Sequence, residues 1–520
     1  MAATSTTSLN LARRESDLAA LADGEVVDLL VVGLGVTGAG IALDAAARGL
    51  SVAALDAHDL AFGTSRWSSK LVHGGLRYLA RGQVGIALES ARERGRLLEH
   101  IAPHLTRALP NLLPLSSYVD KTAARIYRAG IEAGDLLRRV ARTPTATLPR
   151  PRRISPAETL AFAPALRPQS LAGGYLHYDG QLVDDARLVV AIARSAAGRG
   201  ARIVTYARVT TLTGDGAEVR DQRTGTGFTV RARAVVNAAG VWAGQLVDGV
   251  RLRPSRGTHI VLRAERLGNP TAAVNLPVSG QRGRFVFALP EPGGLVYVGV
   301  TDEPVDGPVE DVPAVPEADI VFLLEVLNSA LAAPVGRADV VGAYAGLRPL
   351  LEVPGRAGTA DVSRRHALFT SPDGVITIVG GKLTTYRQMA EDAVDAAIRH
   401  RGLTAGPSPT RRLPLVGAAD RADLARLTDG YGHLVARYGT EAPAVAALAG
   451  EDPHLGEPIA PGVETIGAEL AWGVRHEGAT CVEDLLDRRS RVGLVPTDRR
   501  RALTMAEAVL AEHPMTPTSD

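Results

Sequence analysis

Apolar and polar positions along this chain change pattern several times, and each change predicts an element. Residues 26–57 run as a short continuous apolar stretch, a glycine turn, a helical stretch and a second apolar run. That succession is the order of a βαβ unit whose strands are buried on both faces. Residues 84–101 carry Val84, Ala87, Leu88, Ala91, Leu97, Leu98 and Ile101 at helical spacing until Pro103 and Pro110 break it. Residues 121–140 form another, Arg-rich helical stretch, and prolines at 144–156 mark a surface connection. After Asp184-Asp185 the spacing predicts a helix over 186–197 and a strand over 201–206. A hairpin region punctuated by Gly214, Gly216, Gly225 and Gly227 follows, and a strand over 230–239 runs into Gly240. From 257 to 300, the β-rich pieces His259–Leu262, Arg284–Leu289 and Leu295–Val300 alternate with turns, as in an antiparallel sheet. Residues 316–333 read as helix, 375–380 as a buried strand entering Gly380-Gly381, and 384–400 as helix. Beyond Gly402 the chain turns to Ala, Leu and charge at helical spacing.

These elements predict an α/β protein in three parts. A discontinuous Rossmann-like dinucleotide-binding domain takes 26–95, 171–255 and 356–402, and an antiparallel-sheet substrate domain takes 96–170 and 256–355. A C-terminal helical domain takes 407–520, and the first 25 residues, Ala, Ser and Thr with scattered charges, read as a disordered tail. A chain of 520 residues is too long for one core, in keeping with several domains.

Within the first unit, Asp-Leu-Leu-Val-Val-Gly-Leu-Gly-Val-Thr-Gly-Ala-Gly over 28–40 places glycines at 33, 35 and 38, and the next apolar run ends on Asp56. This is the dinucleotide fingerprint in its required setting of strand, turn, helix, strand and acid. Gly33 permits the tight turn, Gly35 lets the backbone approach a pyrophosphate, and Gly38 lets the helix pack on the strand. The pyrophosphate sits over N–H groups at a helix start, and Asp56 accepts from the adenosine ribose. The fingerprint does not distinguish a nicotinamide from a flavin dinucleotide.

Composition narrows the class. A net charge of +2 gives no case for a nucleic-acid partner. The single cysteine, Cys481, excludes an internal disulfide, suits a reducing cytoplasmic setting and reads as a small buried hydrophobe; no metal is expected. No apolar run approaches the length of a membrane span, which leaves peripheral contact open. Basic residues at 488–491 and 499–501 are candidates for touching anionic lipid.

Four further segments are dense in glycine and basic groups. Residues 63–79 place Ser68, Ser69, Lys70, His73, Arg77 and Tyr78 on a glycine-rich loop where ligands bind in doubly wound sheets. His259 opens a β-rich stretch after Arg256-Gly257-Thr258. Arg348 lies among apolar residues, where a guanidinium wants an anion, and Ser363-Arg364-Arg365-His366 follows. Gly380-Gly381-Lys382-Leu383-Thr384-Thr385 makes a strand-to-helix turn with Thr caps, an electropositive helix start.

Together these segments resemble the FAD-dependent glycerol-3-phosphate dehydrogenases, within the D-amino-acid-oxidase-like flavoprotein superfamily, over about residues 28–500. The resemblance is carried by Ser-Ser-Lys-Leu-Val-His-Gly-Gly-Leu-Arg-Tyr-Leu (68–79), Val-Asp-Asp-Ala-Arg-Leu (183–188) and Asn-Ala-Ala-Gly-Val-Trp (237–242). It continues in Gly-Thr-His-Ile-Val (257–261), Gly-Leu-Arg-Pro-Leu (346–350) and Gly-Gly-Lys-Leu-Thr-Thr-Tyr-Arg (380–387), with Val-Arg-His-Glu (474–477) in the tail. Leu34 stands where the family often has a third glycine, and Trp67 where it commonly has a small or polar residue.

The resemblance implies that the first domain binds FAD through Gly33, Gly35, Gly38, Asp56, Ser68, Ser69, Lys70, His73, Gly240, Gly381, Lys382, Leu383 and Thr384. It implies oxidation of sn-glycerol 3-phosphate to dihydroxyacetone phosphate by hydride transfer from C2 to flavin N5. Arg77, Tyr78, Arg364 and Lys382 would bind substrate, together with Arg348; His259 is the first choice for base, and Arg348 is the other catalytic participant. It implies a quinone acceptor and a cytoplasmic protein peripheral on the inner face of the plasma membrane, and allows a homodimer. An oxidase passing electrons to oxygen, a non-catalytic dinucleotide-binding regulator and a soluble NAD(P)H enzyme stand as alternatives.

Overall fold

Val26–Val32 is buried at nearly every position because it is a central strand of a sheet covered on both sides. The computed structural model describes residues 6–79, 82–116, 121–281, 284–352 and 366–512. In it the first sheet runs in the order Ala367–Thr370, Ile376–Val379, Gly227–Asn237, Val26–Val32, Val52–Leu55 and Arg202–Val204. All neighbours are parallel except Ala367–Thr370, and Gly216–Asp221 with Ala207–Thr213 extends the sheet as an antiparallel flap. The helix Val36–Ala47 packs on this sheet between Asp185–Ala197 and Tyr386–Arg401. Asp184 caps the first of those flanking helices by accepting from Ala186 N and Arg187 N, and all 13 of its residues are buried.

The second sheet is built mainly from antiparallel pairs and holds Ser255–Arg263 between Leu295–Gly299 and Val340–Arg348. Its register lines up Tyr344, His259, Gly299, Phe287 and Asn275 as successive cross-strand neighbours. Gly299 is required in that row, because a Cβ there would lie 2.2 Å from His259 Cδ2. Its absence leaves room for the imidazole to lie flat over the neighbouring strand. The C-terminal helices, from Arg421 to Glu512, close on a core that includes Tyr438, Trp472 and Leu485.

Two expectations about organisation are corrected. The N-terminal stretch is not a loose tail: Leu11–Ala22 is a helix capped by Asn10, with Leu21 fully buried and Arg14 paired to Asp221 at 2.6 Å. Its low hydrophobicity hid a helix fastened by one buried ion pair and by Ser8, which bonds His476 of the C-terminal domain. The domain boundaries also shift. Leu71–Val72 and Gly174–Leu182, assigned by sequence to the dinucleotide domain, are strands of the second sheet. Gly174–Leu182 pairs along its length with Thr106–Pro114, a strand whose Pro110 had read as a break.

Candidate active site

A cavity of about 1860 Å³ opens between the two sheets. Pockets for single small ligands are about 300–1,000 Å³, so this one accommodates a dinucleotide and a second molecule. Of the residues assigned to the cofactor, Gly33, Gly35, Asp56, Gly240, Gly381, Leu383 and Thr384 line it. Gly33 sits at φ +102°, and a Cβ there would lie 2.6 Å from Ala238 O. Gly38 lies behind the cavity: a Cβ would meet Gly33 O at 1.8 Å, so its part is the close packing of helix on turn. Asp56 already accepts from Leu34 N at 2.6 Å and His58 N at 2.8 Å, and burial raises its carboxyl to about 6. It therefore braces the glycine turn as well as lining the cavity. These features fit the ADP portion of FAD.

The 63–70 loop forms the adjoining wall. Ser65 Oγ accepts from Val36 N at the helix start, and Thr64 Oγ1 donates to Leu347 O of the second sheet at 2.6 Å. Trp67 borders the cavity and packs on Gly346, where a Cβ would lie 2.7 Å from Trp67 Cβ. Ser68 and Ser69 border the cavity as well. Lys70 does not. It is 2% exposed and turned into the protein toward Asp185 (3.2 Å) and the carbonyls of Arg66 and Ser68, which corrects its assignment to the cofactor.

His259 and Arg348 meet in the same cavity although 89 positions separate them in sequence, because their strands are paired. His259 Nε2 lies 2.8 Å from Ser69 Oγ, and its ring stacks on Tyr344 with centroids 4.7 Å apart. Nδ1 is buried without a hydrogen-bond partner. Burial first, and then the charges of Lys70 and Arg348, hold the imidazole well below the usual histidine range, so it is neutral. The anion sought for Arg348 is partly supplied by the protein: Asp302 lies 3.3 Å away, and the guanidinium also donates to Ser255 Oγ and Thr301 O. Lys382 Nζ sits 3.7 Å from the Tyr78 ring centroid and donates to Ser90 Oγ. The threonines after it do not cap: neither the Leu383–Thr385 turn nor the Tyr386–Arg401 helix has a side-chain cap. His73 borders the cavity 3.3 Å from Asp179. Against the pull of burial, Arg94 and His73 hold Asp179 far below the usual carboxylate range.

The backbone of Arg77 lies in the short helix Leu76–Leu79, and Arg364 lies outside the described residues. Sequence reasoning missed one part of the lining. Asn111, Tyr127, His177 and Asn275 form a neutral polar arm in which Tyr127 and Asn275 are bonded at 2.8 Å. Asn111, His177 and Asn275 come together through strand pairing, and Tyr127 reaches them from the helix Lys121–Val140; no spacing pattern announces the group. Two further readings are settled by burial. Arg488, Arg489 and Arg491 face inward, the first two on Asp59, so they are not a lipid-binding face. Cys481 is half-buried rather than fully buried, and burial together with the charge of Asp484 pushes its thiol up to about 12, so it is not a reactive thiolate.

The glycine-turn cradle fits a dinucleotide, and the family match and the FAD-bound relative make the protein an FAD-dependent oxidoreductase, with FAD as cofactor. The family model described as FAD dependent oxidoreductase matches residues 28–387, and that of the C-terminal domain of alpha-glycerophosphate oxidase matches 408–513. Glycerol-3-phosphate dehydrogenase 1 of Mycobacterium tuberculosis is 55% identical over 97% of this chain and 98% of its own length. The mitochondrial glycerol-3-phosphate dehydrogenase of Mus musculus is 36% identical over 93% of this chain and 70% of its own. The structure of the glycerol-3-phosphate dehydrogenase from Bacillus halodurans complexed with FAD superposes with a TM-score of 0.74 at 28% identity, covering 97% of this chain and 95% of that one. The chain belongs to the FAD-dependent glycerol-3-phosphate dehydrogenase family.

Proposed function

We propose that the protein oxidises sn-glycerol 3-phosphate to dihydroxyacetone phosphate and passes the electrons to a membrane quinone. The observation that carries this reading is the convergence of neutral His259, Arg348 and Lys382 on the cavity that holds the dinucleotide cradle. The relatives' names supply the substrate.

Bound FAD supplies the hydride acceptor, its N5. The substrate phosphate is a dianion and calls for several fixed cations. Arg348 and Lys382 line the cavity and would bind the phosphate, and Tyr78, which also lines the cavity, adds its hydroxyl. His259 takes the C2 hydroxyl proton at a ring nitrogen, a task that requires the neutral form. Ser69 and Tyr344 fix the plane of that ring. With Asp302 as built-in partner, Arg348 stays cationic and serves binding and charge stabilisation rather than proton removal. Arg348→Ala is expected to lower kcat/KM by about 10²-fold or more, corresponding to about 3 kcal/mol of lost charged hydrogen bonding. Steady-state kinetics check this, and an unchanged value removes Arg348 from the site.

The quinone reading is supported by the helix Lys121–Val140. It exposes Leu136 and Val140 to solvent beside its arginines, and its exposed Ile126 also borders the cavity. Among the described residues no helix is long and apolar enough to cross a membrane, so quinone would be met at a surface. The acceptor is tested by comparing anaerobic turnover on a short-chain quinone with peroxide release in air. Quinone turnover without stoichiometric peroxide is expected, and the opposite pattern would make the protein an oxidase.

A further inference from the structure

Ser69, the hydrogen-bond partner of His259, is bracketed by two residues tied to one buried carboxylate. Ser68 gives its N–H (3.0 Å) and its hydroxyl (2.8 Å) to Asp185 Oδ2, and Lys70 Nζ lies 3.2 Å from the same oxygen. Lys70 also donates to Arg66 O at 3.1 Å and Ser68 O at 2.9 Å, and Tyr344 OH donates to Ser68 O at 3.0 Å. The other end of this arrangement belongs to a different domain. Arg491, from the C-terminal helical domain, donates to Arg66 O and lies 3.9 Å from each of Asp184 and Asp185. Lys70, Asp184, Asp185 and Arg491 are all buried, and none lines the cavity.

We infer that Arg491, through Asp185 and Lys70, holds residues 66–70 so that Ser69 keeps the His259 ring in its working orientation; the inference rests on the reading of His259 as the proton acceptor. Two cations face two carboxylates in a space closed to water, so removing one partner leaves a buried charge unmatched and the loop must move to relieve it. Arg491 alone joins the loop carbonyl to both carboxylates, a reach that suits a planar fork and not the point charge of a lysine. None of the three touches the cavity, so they are positioning residues. The C-terminal domain thereby has a part in the chemistry: it sets the geometry of a base carried by the opposite sheet.

A double-mutant cycle on the FAD-loaded full-length protein tests this, with Arg491→Lys and Ser69→Ala alone and combined. Each single variant is expected to slow anaerobic flavin reduction by about tenfold or more, since a displacement of about 1 Å near the chemistry can cost about 10²-fold. The KM for glycerol 3-phosphate should stay near its original value. If Arg491 acts through Ser69, the double variant is no slower than Ser69→Ala alone. Amide hydrogen exchange over 66–70 should also quicken in Arg491→Lys. Independent multiplication of the two effects, or unchanged exchange over 66–70, overturns the inference. Should Arg491→Lys not fold, Asp185→Asn runs the same cycle and reads the same outcomes. A wild-type flavin that glycerol 3-phosphate fails to reduce would sink the functional reading instead, and the exchange experiment would still decide whether Arg491 holds the loop.

Discussion

His259→Ala is expected to slow flavin reduction by glycerol 3-phosphate by about 10²–10⁴-fold, the usual worth of a positioned general base, while FAD stays bound. The expectation rests on a ring buried among Ser69, Tyr344 and the space left by Gly299, with no part in the glycine cradle. Stopped-flow reduction without oxygen reads the effect, and wild-type rates in FAD-loaded variant would exclude the residue. The pH dependence of the wild type gives an independent check. A base works when unprotonated, and burial followed by the charges of Lys70 and Arg348 has lowered this imidazole's pKa. Its protonation, and the loss of rate it brings, should therefore fall at lower pH than for an ordinary histidine. The reduction rate should hold as pH drops through about 6.5, the unperturbed histidine value. A rate that halves at that point would mean that the group responsible is not His259.

Gly33→Ala should yield protein that purifies without flavin absorbance. The residue sits at φ +102°, a region that costs an L-residue about 1–2 kcal/mol, and its new methyl would lie 2.6 Å from the carbonyl of Ala238. Backbone stands on the far side, so no side chain can rotate away. The 33–38 turn must then part from the 238–240 loop, and both border the cavity. Loss of the cradle should be specific to FAD, with the folded fraction retaining its helical circular dichroism. A variant that keeps its full complement of FAD would show that this turn does not hold the pyrophosphate.

The parts of this structure written as local pattern were legible in the sequence. The βαβ unit, the helix at 186–197, the β-rich pieces from 257 to 300 and the helical tail all follow from periodicity, and each is present. The glycine cradle was legible because its backbone demands leave a fixed spacing. What periodicity could not supply is which layer a strand joins. Gly174–Leu182 looks the same whether it continues the first sheet or crosses to the second, and only pairing with Thr106–Pro114 decides it. The helix Leu11–Ala22 was missed because its apolar contacts are few, Leu18 and Leu21, and a buried ion pair helps to fasten it. In the site, Lys70 was misread for a related reason. A basic residue on a glycine-rich loop faces a ligand or a buried acid with equal ease, and Asp185 is far away in sequence. The Asn111, Tyr127, His177 and Asn275 arm was invisible because single polar residues on three strands and one helix carry no spacing signal.

The absorbance spectrum of the purified protein, recorded before and after glycerol 3-phosphate is added without oxygen, tests the central claim most directly. It should show the bands of bound oxidised flavin, and substrate should bleach them without any added reductant. A yellow protein whose spectrum glycerol 3-phosphate leaves unchanged would contradict the account.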